Sequence, residues 1–437
     1  MSSPPAEGSG KPAGPGPQLE LPSSPLERIQ ARGRIRGRLG LLGPAFVAAV
    51  AYIDPGNFAT NFESGAKFGY TLTWVIVMAN LMAMLVQYLS AKAGLASGRS
   101  LPELCRENFP RTTNFFLWVQ AEIVAIATDL AEFLGAAIGL NLLFGIPPFP
   151  AGLITAVIAI GILTLEQRGY RKFELAIIGL LGLVALGFLY DIIAVGDQSA
   201  SGIAEGLIPG FAGSESVLLA IGIIGATVMP HVVYLHSALV QRRVVPENEE
   251  ERQKILRFTK IDCIVGLSIA GVINLSMLFV AAALFQKTGS LDIDSIEGAH
   301  AGLMNVVGGG AAMAFAVALL ASGLSSSSVG TYAGQVVMQG FIQRKIPLYV
   351  RRLVTMTPAL VVLAIGLPTT QTLVFSQVVL SFGIPFALVP LIIVTRKTEL
   401  MGTLVNDRKT TIAASVIAAI IICLNTYLIF DTIIGLG

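Results

Sequence analysis

Long apolar stretches recur along the whole chain and are separated by short polar segments. A helix that crosses a membrane needs about 20 consecutive, mostly apolar residues. Windows of that length predict eleven transmembrane helices, which begin near Leu41, Tyr70, Phe115, Ala151, Leu175, Val217, Ile261, Ala301, Leu353, Thr372 and Thr411. The pattern therefore predicts an all-α polytopic membrane protein.

The first predicted helix is interrupted at its centre by Asp54-Pro55-Gly56-Asn57. Proline and glycine break the helical hydrogen-bond ladder, so nearby carbonyl groups lose their partners. At bilayer depth such irregular backbone is tolerated only where it lines a cavity inside the protein. A carboxylate and an amide lie at the same break, and they place hard oxygen ligands halfway across the membrane. This arrangement is typical of the binding site of a secondary transporter.

The sixth predicted helix carries a second interruption, at Pro230, which follows Gly222 and Gly225. This proline again frees carbonyl groups near the middle of the membrane. If the first five helices and the next five form two halves of inverted topology, each break lies in the first helix of a half. Corresponding interruptions of this kind are the best sequence indication of a transporter's substrate site.

The donor atoms at the two breaks predict a site for a transition metal. Asp54, Asn57 and the carbonyl groups near Ala51 and Ala226 supply oxygen, while Met229 supplies a thioether sulfur. Oxygens alone would suit sodium, calcium or magnesium, whereas an added soft sulfur favours divalent manganese or iron. The alternatives are that Asp54 only caps a half-helix, that Asn57 only satisfies freed backbone groups, and that Met229 only fills the core.

Composition agrees with a membrane protein, because hydrophobic residues make up 54% of the chain and charged residues only 13%, against roughly 25% charged in soluble domains. Apart from Lys67 and Lys287, the 29 Lys and Arg residues lie in the N-terminal tail, in the even-numbered connections or at the adjoining helix ends. The positive-inside rule then places the amino terminus in the cytoplasm and the carboxyl terminus outside. Because the basic residues account for topology, the net charge of +2 gives no reason to expect nucleic acid. Glu63, Lys67 and Glu174 are expected at solvated helix ends.

The third predicted helix carries three carboxylates, Glu122, Asp129 and Glu132, which are costly in an apolar helix. Glu122 and Asp129 are seven residues apart and share nearly the same face, and Glu132 lies one turn further. We call these three residues the carboxylate file. Arg351 and Arg352 begin the ninth helix at the same cytoplasmic end, so ion pairs between the two helices are expected. The file is then either a proton path from the first break towards the arginines or a structural salt-bridge network.

The chain divides by these patterns into four regions. Residues 1–38 are rich in Pro, Gly and Ser and are predicted to form a disordered cytoplasmic tail. They lack the features of a signal peptide, so the first helix is expected to be retained. Residues 39–200 and 201–400 are predicted to be the two halves, and 401–437 the eleventh helix with an extracytoplasmic end.

Three motifs together resemble the Nramp family of proton-coupled divalent metal transporters. They are Asp54-Pro55-Gly56-Asn57, Ala226-Thr227-Val228-Met229-Pro230-His231, and Gly330-Thr331-Tyr332-Ala333-Gly334-Gln335, the last placed after the eighth predicted helix like the family's cytoplasmic transport signature. The resemblance extends from the first break through the tenth helix. It implies a LeuT-like bundle of two inverted five-helix repeats with discontinuous first and sixth helices, followed by an eleventh helix. It also implies uptake of manganese or iron with proton co-transport, and Met229 argues against the magnesium-selective relatives, which lack that methionine.

The resemblance also assigns roles to single residues. It implies that His231 belongs to the proton route that begins at Asp54 rather than to the metal site. It further implies that Gln377, in the tenth helix, is an occasional metal ligand. His236 is expected to be a hydrogen-bonded core residue. Interhelical hydrogen bonds are expected from Gln87, Asp262 and Asn274.

The sequence thus predicts an importer of divalent transition metal in a bacterial cytoplasmic membrane, manganese first and ferrous iron second, driven by the inward proton gradient. Metal ions and protons are its expected partners, with no obligate protein partner and no cofactor. A sodium-coupled amino-acid symporter of the same fold is disfavoured, because Asp54 would repel the carboxylate of the substrate. An intramembrane metalloenzyme is disfavoured by the lack of an H-E-x-x-H pattern. Neither a disulfide framework nor a zinc site is expected from the widely separated Cys105, Cys263 and Cys423.

Overall fold

The computed structural model describes residues 43–167, 170–241, 243–288, 294–344 and 346–434, and the regular structure in these ranges is entirely helical. The all-α prediction is therefore confirmed for the described chain. The predicted tail, residues 1–38, and the predicted start of the first span at Leu41 lie outside the described residues.

The first half of the chain contains a broken helix followed by four long helices and two short ones. Their bounds are α1 Pro44–Ala51, α2 Pro55–Phe68, α3 Thr73–Ser97, α4 Leu101–Asn108, α5 Arg111–Phe144, α6 Pro148–Gln167, α7 Tyr170–Val195 and α8 Ala200–Gly206. The short helices α4 and α8 were not expected from apolar windows, because neither is long enough to form one.

The second half repeats the order of a broken helix followed by long helices. Its bounds are α9 Ser214–Thr227, α10 Pro230–Gln241, α11 Glu249–Thr288, α12 Ile296–Val306, α13 Gly309–Ile342, α14 Leu348–Ile365, α15 Thr369–Thr395, α16 Thr398–Met401, a 3₁₀ turn Gly402–Leu404, and α17 Arg408–Ile434. The predicted discontinuities in the first and sixth spans are both present, as α1/α2 and α9/α10.

Eight helical segments of the described chain are long and apolar enough to cross a membrane. They are Thr73–Ser97, Arg111–Phe144, Lys172–Val195, Ser214–Gln241, Glu249–Lys287, Gly309–Ile342, Thr369–Thr395 and Arg408–Asp431. The three remaining predicted spans correspond to the broken pair α1/α2, to α6 and to α14. The total of eleven spans stays a prediction.

Two expectations about the eighth span were wrong. The span begins at Gly309 and not near Ala301, because Ala301 belongs to the separate helix α12, which ends where Gly308 adopts φ 121°. The motif Gly330–Gln335 also lies inside α13 and not after it. A run of serines just before the motif lowers the hydropathy of this segment. Hydroxyl groups of this run nevertheless donate to carbonyl groups of their own helix, as Ser325 Oγ does to Ala321 O at 2.7 Å. The helix therefore continues through a segment that is polar in sequence.

Small residues bring α5 and α13 into close contact at the centre of the bundle. A Cβ atom added at Gly139 would lie 2.9 Å from Leu320, and one added at Gly323 would lie 2.7 Å from the backbone nitrogen of Ala136. Gly135, on α5, packs directly against the ring of Pro55. This packing through small residues is common between transmembrane helices. It places the carboxylate-bearing helix beside the first break.

Four phenylalanines hold α2 against its neighbours on the other side of that break. The rings of Phe62 and Phe315 are 5.0 Å apart and those of Phe58 and Phe188 are 5.1 Å apart, both edge to face. All four side chains are buried. Edge-to-face pairs of this kind stabilise packing beyond the burial of area alone, so α2 is firmly anchored to α7 and α13.

Candidate metal site and carboxylate file

The first break is organised by Asp54 and Pro55. Asp54 precedes α2 as its N-cap, and its Oδ1 accepts the backbone N–H of Asn57 at 2.9 Å. Pro55 occupies the first helical position, where a missing N–H costs the helix nothing. It cannot donate to the carbonyl four residues earlier, so the carbonyl of Ala51 is freed.

Two further carbonyls in the break are satisfied by neighbouring helices. Tyr52 O accepts Asn274 Nδ2 from α11 at 2.9 Å, and Ile53 O accepts the hydroxyl of Ser322 from α13. Asn274 is therefore an interhelical partner, as predicted. The break is held from two sides while the carbonyl of Ala51 is left to other ligands.

The second break has the same chemistry and meets the first through Asn57. Pro230 has no N–H for the carbonyl of Ala226, and Asn57 Nδ2 donates to that carbonyl at 2.9 Å. The same amide nitrogen donates to Asp54 Oδ1 at 2.7 Å, and Thr227 Oγ1 donates to Asn57 Oδ1 at 3.4 Å. Asn57 does satisfy a freed backbone group, and it also joins the two breaks.

Met229 and Gln377 complete the surroundings of the breaks. Met229 lies in the linker between α9 and α10 and is fully buried. Gln377, from α15, packs over Gly56, where a Cβ atom would overlap its amide. Within the described chain, Gln377 Oε1 and Asp54 Oδ2 are both buried and without a hydrogen-bond partner. Two oxygen acceptors and a thioether therefore lie around the junction of the breaks with unused lone pairs.

This geometry bears on the alternatives for Asp54. Its Oδ1 does cap α2, so the structural interpretation is right for that oxygen, but Oδ2 has no such task. A buried carboxylate oxygen without a partner is costly unless a cation or a proton can occupy it. The side chains of Asp54, Asn57, Met229 and Gln377 are all 0% exposed, so a cation held here is enclosed by protein.

The expected ion pairs between the carboxylate file and α14 are present. Arg352 Nη1 lies 2.8 Å from Asp129 Oδ1, and Arg351 Nη2 lies 2.8 Å from Glu122 Oε2. Arg352 is fully buried, and its guanidinium stacks over the ring of Phe133 at 4.8 Å. A buried ion pair that also has a cation–π contact compensates both charges where water does not reach.

Glu132 occupies the part of the file between the ion pairs and the first break. Both of its carboxylate oxygens are buried and have no hydrogen-bond partner in the described chain. Gly135, one turn further along α5, contacts Pro55, which places Glu132 close to the break. A Cβ atom at Gly330 would lie 2.8 Å from Glu132 Oε2, so this carboxylate is packed against the glycine motif of α13.

The motif Gly330–Gln335 therefore has a structural role that sequence reasoning missed. Gly330 makes room for Glu132, and Gly334, one turn later, makes room for the guanidinium of Arg351. On the same helix, Thr331 Oγ1 accepts Arg352 Nη1 at 2.6 Å, and Ser327 also binds this arginine. The i, i+4 spacing of the two glycines, and of Ser327 and Thr331, was the available signal, since such residues share a helix face.

The two histidines near the second break bind different helices. His231 Nδ1 lies 3.2 Å from the hydroxyl of Thr128, which precedes Asp129 on α5. His236 Nδ1 lies 2.9 Å from Gln87 Oε1, and Gln87 Nε2 donates to the hydroxyl of Tyr52 at 2.6 Å. His236 is thus the hydrogen-bonded core residue that was predicted, and Gln87 is an interhelical partner.

At the end of the bundle where α1 begins, a buried polar cluster closes the structure. Asp262 Oδ2, on α11, accepts the backbone N–H of Ala45 at 2.9 Å and caps the start of α1. This contact is an interhelical hydrogen bond of the kind predicted for Asp262. Glu174 was expected at a solvated end, but it is only 1% exposed and pairs with Arg243 at 3.2 Å. The expectation was wrong because the partner lies 69 residues away and comes from the end of α10.

At the end of the bundle where α2 finishes, Lys67 joins three segments. Its Nζ lies 2.8 Å from Glu63 on α2, 2.7 Å from Glu215 on α9, and 3.8 Å from Asp294, which precedes α12. These groups are partly exposed, as expected for a helix end. They connect the C-terminal end of α2 with the N-terminal end of α9.

Comparison with known proteins agrees with this geometry. The sequence profile of Nramp, described as natural resistance-associated macrophage protein-like, matches residues 45–431. The divalent metal cation transporter MntH of Bacillus subtilis is 52% identical over 416 residues, which cover 94% of this chain and 98% of that protein. The protein of the same name from Deinococcus radiodurans is 47% identical over 427 residues, 95% of this chain and 98% of its own.

A solved structure shows the same architecture. The manganese transporter of Eremococcus coleocola, crystallised with an aromatic bis-isothiourea compound, superposes with a TM-score of 0.82 and 34% identity over 92% of this chain and 88% of that one. The predicted all-α, LeuT-like fold class is thereby confirmed, while the total of eleven spans and the boundaries of the two halves stay predictions. The family profile spans nearly the whole described chain, and these relatives are about 50% identical in sequence. This chain therefore belongs to the Nramp family of membrane transporters.

Proposed function

We propose that this protein imports divalent transition metal ions, manganese first and ferrous iron second, through the junction of its two broken helices. The observation that carries the proposal is the unpaired, buried Oδ2 of Asp54 beside the thioether-bearing linker of the second break. Similarity to proteins named divalent metal cation transporter and manganese transporter supports the same substrate class.

The donor set favours a transition metal over a hard cation. Asp54 contributes one anionic oxygen, and Asn57, Gln377 and the carbonyls of Ala51 and Ala226 contribute neutral ones. Calcium and magnesium prefer several carboxylates or retained water, whereas manganese and iron also accept a thioether such as that of Met229. Gln377 joins the set through the Oε1 that has no other partner in the described structure.

Metal binding requires a rearrangement that connects the two halves. Asn57 Nδ2 now donates to both Asp54 Oδ1 and Ala226 O, so the amide occupies the carbonyl of Ala226, which is a proposed ligand. A cation that binds Asp54 Oδ2 and this carbonyl displaces the amide nitrogen from Ala226 O and is met by Asn57 Oδ1 instead. The cation, which is bound by oxygens from both breaks, then replaces the hydrogen bond that links α2 to the second break. Cation binding is thereby coupled to the relative position of the half-helices.

The carboxylate file supplies the proton route in this proposal. A proton on Asp54 passes to Glu132, whose oxygens have no partner in the described chain, and then to Asp129, which pairs with Arg352. Glu122 and Arg351 extend the route toward the end of α5 that is predicted to be cytoplasmic. His231 borders it through Thr128. The metal and the proton thus leave the junction by different routes.

Uptake by purified protein in liposomes tests the proposal. Manganese influx is followed with an internal fluorescent indicator, with and without a pH gradient that is acidic outside, and empty liposomes serve as the control. We expect influx that depends on the protein and is accelerated by the gradient. Influx of an amino acid driven by sodium, without manganese influx, would instead establish the symporter alternative.

The metalloenzyme alternative has no support in the arrangement of ligands. Across the described ranges, no three His, Cys, Asp or Glu side chains cluster as a metal-holding group, whereas a catalytic zinc site usually has three such ligands.

The proposal includes residence in the cytoplasmic membrane with the amino terminus inside and the carboxyl terminus outside, and transport without an obligate protein partner.

A further inference from the structure

A groove of about 740 Å³ opens where the connection after α15 meets the first turns of α17, far along the chain from both breaks. Its polar end is formed by Arg396, Asn406 and Arg408, and its apolar wall includes Ile412 and Val416. The connection carries several basic residues, and the positive-inside rule places it at the cytoplasmic surface of the membrane.

The two arginines of the groove lie at the adjoining ends of α15 and α17. Arg396 follows the last residue of α15, and Arg408 is the first residue of α17. Both side chains are exposed, and neither guanidinium group makes a hydrogen bond or an ion pair with any described residue. The neighbouring Asp407 caps α17 through the backbone N–H of Thr410 at 3.1 Å, and it does not line the groove. Two guanidinium groups are therefore available to an anion.

Asn406 adds a fixed acceptor between them. Its backbone N–H donates to Thr395 O at 3.0 Å and its Nδ2 donates to Thr395 Oγ1 at 2.8 Å, which holds the side chain in place. The remaining atom, Oδ1, is buried and has no hydrogen-bond partner in the described chain. A ligand that carries both an anionic group and a hydroxyl or ammonium donor would satisfy the arginines and this oxygen together.

The apolar wall decides between a free anion and a lipid. Ile412 and Val416 are four residues apart on α17, share one face, and are 53% and 50% exposed. Ala419 continues this face one turn deeper into the membrane. An inorganic anion would contact only the polar end, whereas an acyl chain would lie along this face. Basic pockets beside transmembrane helices on the cytoplasmic side commonly bind anionic headgroups.

We propose that this groove is a binding site for an anionic phospholipid of the cytoplasmic leaflet. The phosphate lies between Arg396 and Arg408, a headgroup donor reaches Asn406 Oδ1, and an acyl chain follows Ile412 and Val416. Phosphatidylglycerol has all three features, since its glycerol headgroup supplies hydroxyl donors.

The bound lipid would join α15 to α17 at their adjoining ends. Nearer the middle of these helices, Ser381 Oγ donates to Asn425 Oδ1 at 2.8 Å and Asn425 Nδ2 donates to Ser381 O at 3.0 Å. Ser381 lies one turn from Gln377, the α15 residue beside the first break. The lipid therefore supports the helix that carries a proposed ligand, although the site itself does not depend on the transport proposal.

Native mass spectrometry of the full chain tests the lipid site. The protein is incubated with an equimolar mixture of phosphatidylglycerol and phosphatidylcholine, released into mild detergent, and the retained lipids are counted. Each guanidinium near an anionic headgroup contributes roughly a fivefold factor in affinity, so the double variant Arg396→Gln/Arg408→Gln should bind phosphatidylglycerol about 25-fold more weakly. Phosphatidylcholine retention should not change.

The matched control removes the same charge elsewhere on the surface predicted to be cytoplasmic. Arg257 and Lys260 are exposed on α11 and do not line the groove, so Arg257→Gln/Lys260→Gln should retain phosphatidylglycerol as the unmodified chain does. Equal loss in both double variants, or no loss in the groove variant, overturns the site. Displacement of the lipid by millimolar inorganic phosphate would also overturn it, because the groove would then be a simple anion site. Circular dichroism and size-exclusion chromatography of both variants confirm that each is folded.

Discussion

The two oxygens of Asp54 have separate roles, and this division explains why one residue can both build the break and bind a cation. Oδ1 accepts the backbone and side-chain nitrogens of Asn57, while Oδ2 has no partner in the described structure. The cap forms the turn that exposes the carbonyls, and the free oxygen supplies the charge.

Replacement of Asp54 by alanine should abolish manganese binding. The variant removes the one anionic residue among the proposed ligands and leaves a dication among neutral dipoles, which costs several kcal/mol. We expect an affinity lower by on the order of 100-fold or more in calorimetry. Asp197→Asn, at an exposed position in the connection after α7, is the control and should bind normally. Near-normal binding by Asp54→Ala would show that the metal site lies elsewhere.

Met229 should act on selectivity more than on affinity. Its replacement by alanine removes the soft ligand, so cadmium binding should weaken by about tenfold, ~1.4 kcal/mol, while calcium and magnesium become effective competitors of manganese. Competition binding with each ion on the purified variant measures this. If calcium still fails to compete, the size of the enclosed junction and not the thioether excludes it.

Among the helices, the features that depend on neighbouring residues were predictable from the sequence. Pro55 and Pro230 free the carbonyls four residues earlier in any helical context, so both breaks were visible in the sequence. The pairing of Arg351 and Arg352 with the carboxylate file followed from charge, spacing and topology. The burial of Glu174 was not predictable, because it depends on Arg243, which lies 69 residues away in the turn after α10. The continuation of α13 through its serines was missed because hydropathy does not register hydroxyls bonded to their own helix.

The close packing of α13 on α5 gives a prediction about Gly330. Alanine there places a methyl group 2.8 Å from Glu132 Oε2 and displaces this carboxylate from the file. We expect proton flux to fall several-fold while calorimetric manganese affinity stays within about twofold, a change of ~0.4 kcal/mol. Gly182→Ala, on α7, is the matched control, because its added Cβ would meet no atom within 4 Å. Equal loss of metal binding and proton flux would mean that the substitution disturbs the whole bundle.

For the whole molecule, the buried junction lies between two sets of polar contacts, one at each end of the bundle. Asp262 and the pair of Glu174 with Arg243 join segments at the end where α1 begins. Lys67 joins Glu63, Glu215 and Asp294 at the opposite end. Alternating access requires that each set of contacts opens in turn while the junction stays formed. The half-helices can move because their connection at the breaks is a few side-chain hydrogen bonds and not continuous backbone helix.

Metal and proton are proposed to take separate routes, and the variant Asp129→Asn distinguishes separate routes from a shared one. Asparagine keeps the shape of the side chain but cannot take up a proton, and Arg352 retains its bonds to Ser327 and Thr331. Manganese influx and internal acidification are measured together in the same liposomes, with Asp197→Asn as the control. We expect manganese influx to persist at a reduced rate while proton flux and its pH dependence fall sharply. A fall of both fluxes in strict proportion would contradict it and would make the file a scaffold, with the proton following the metal.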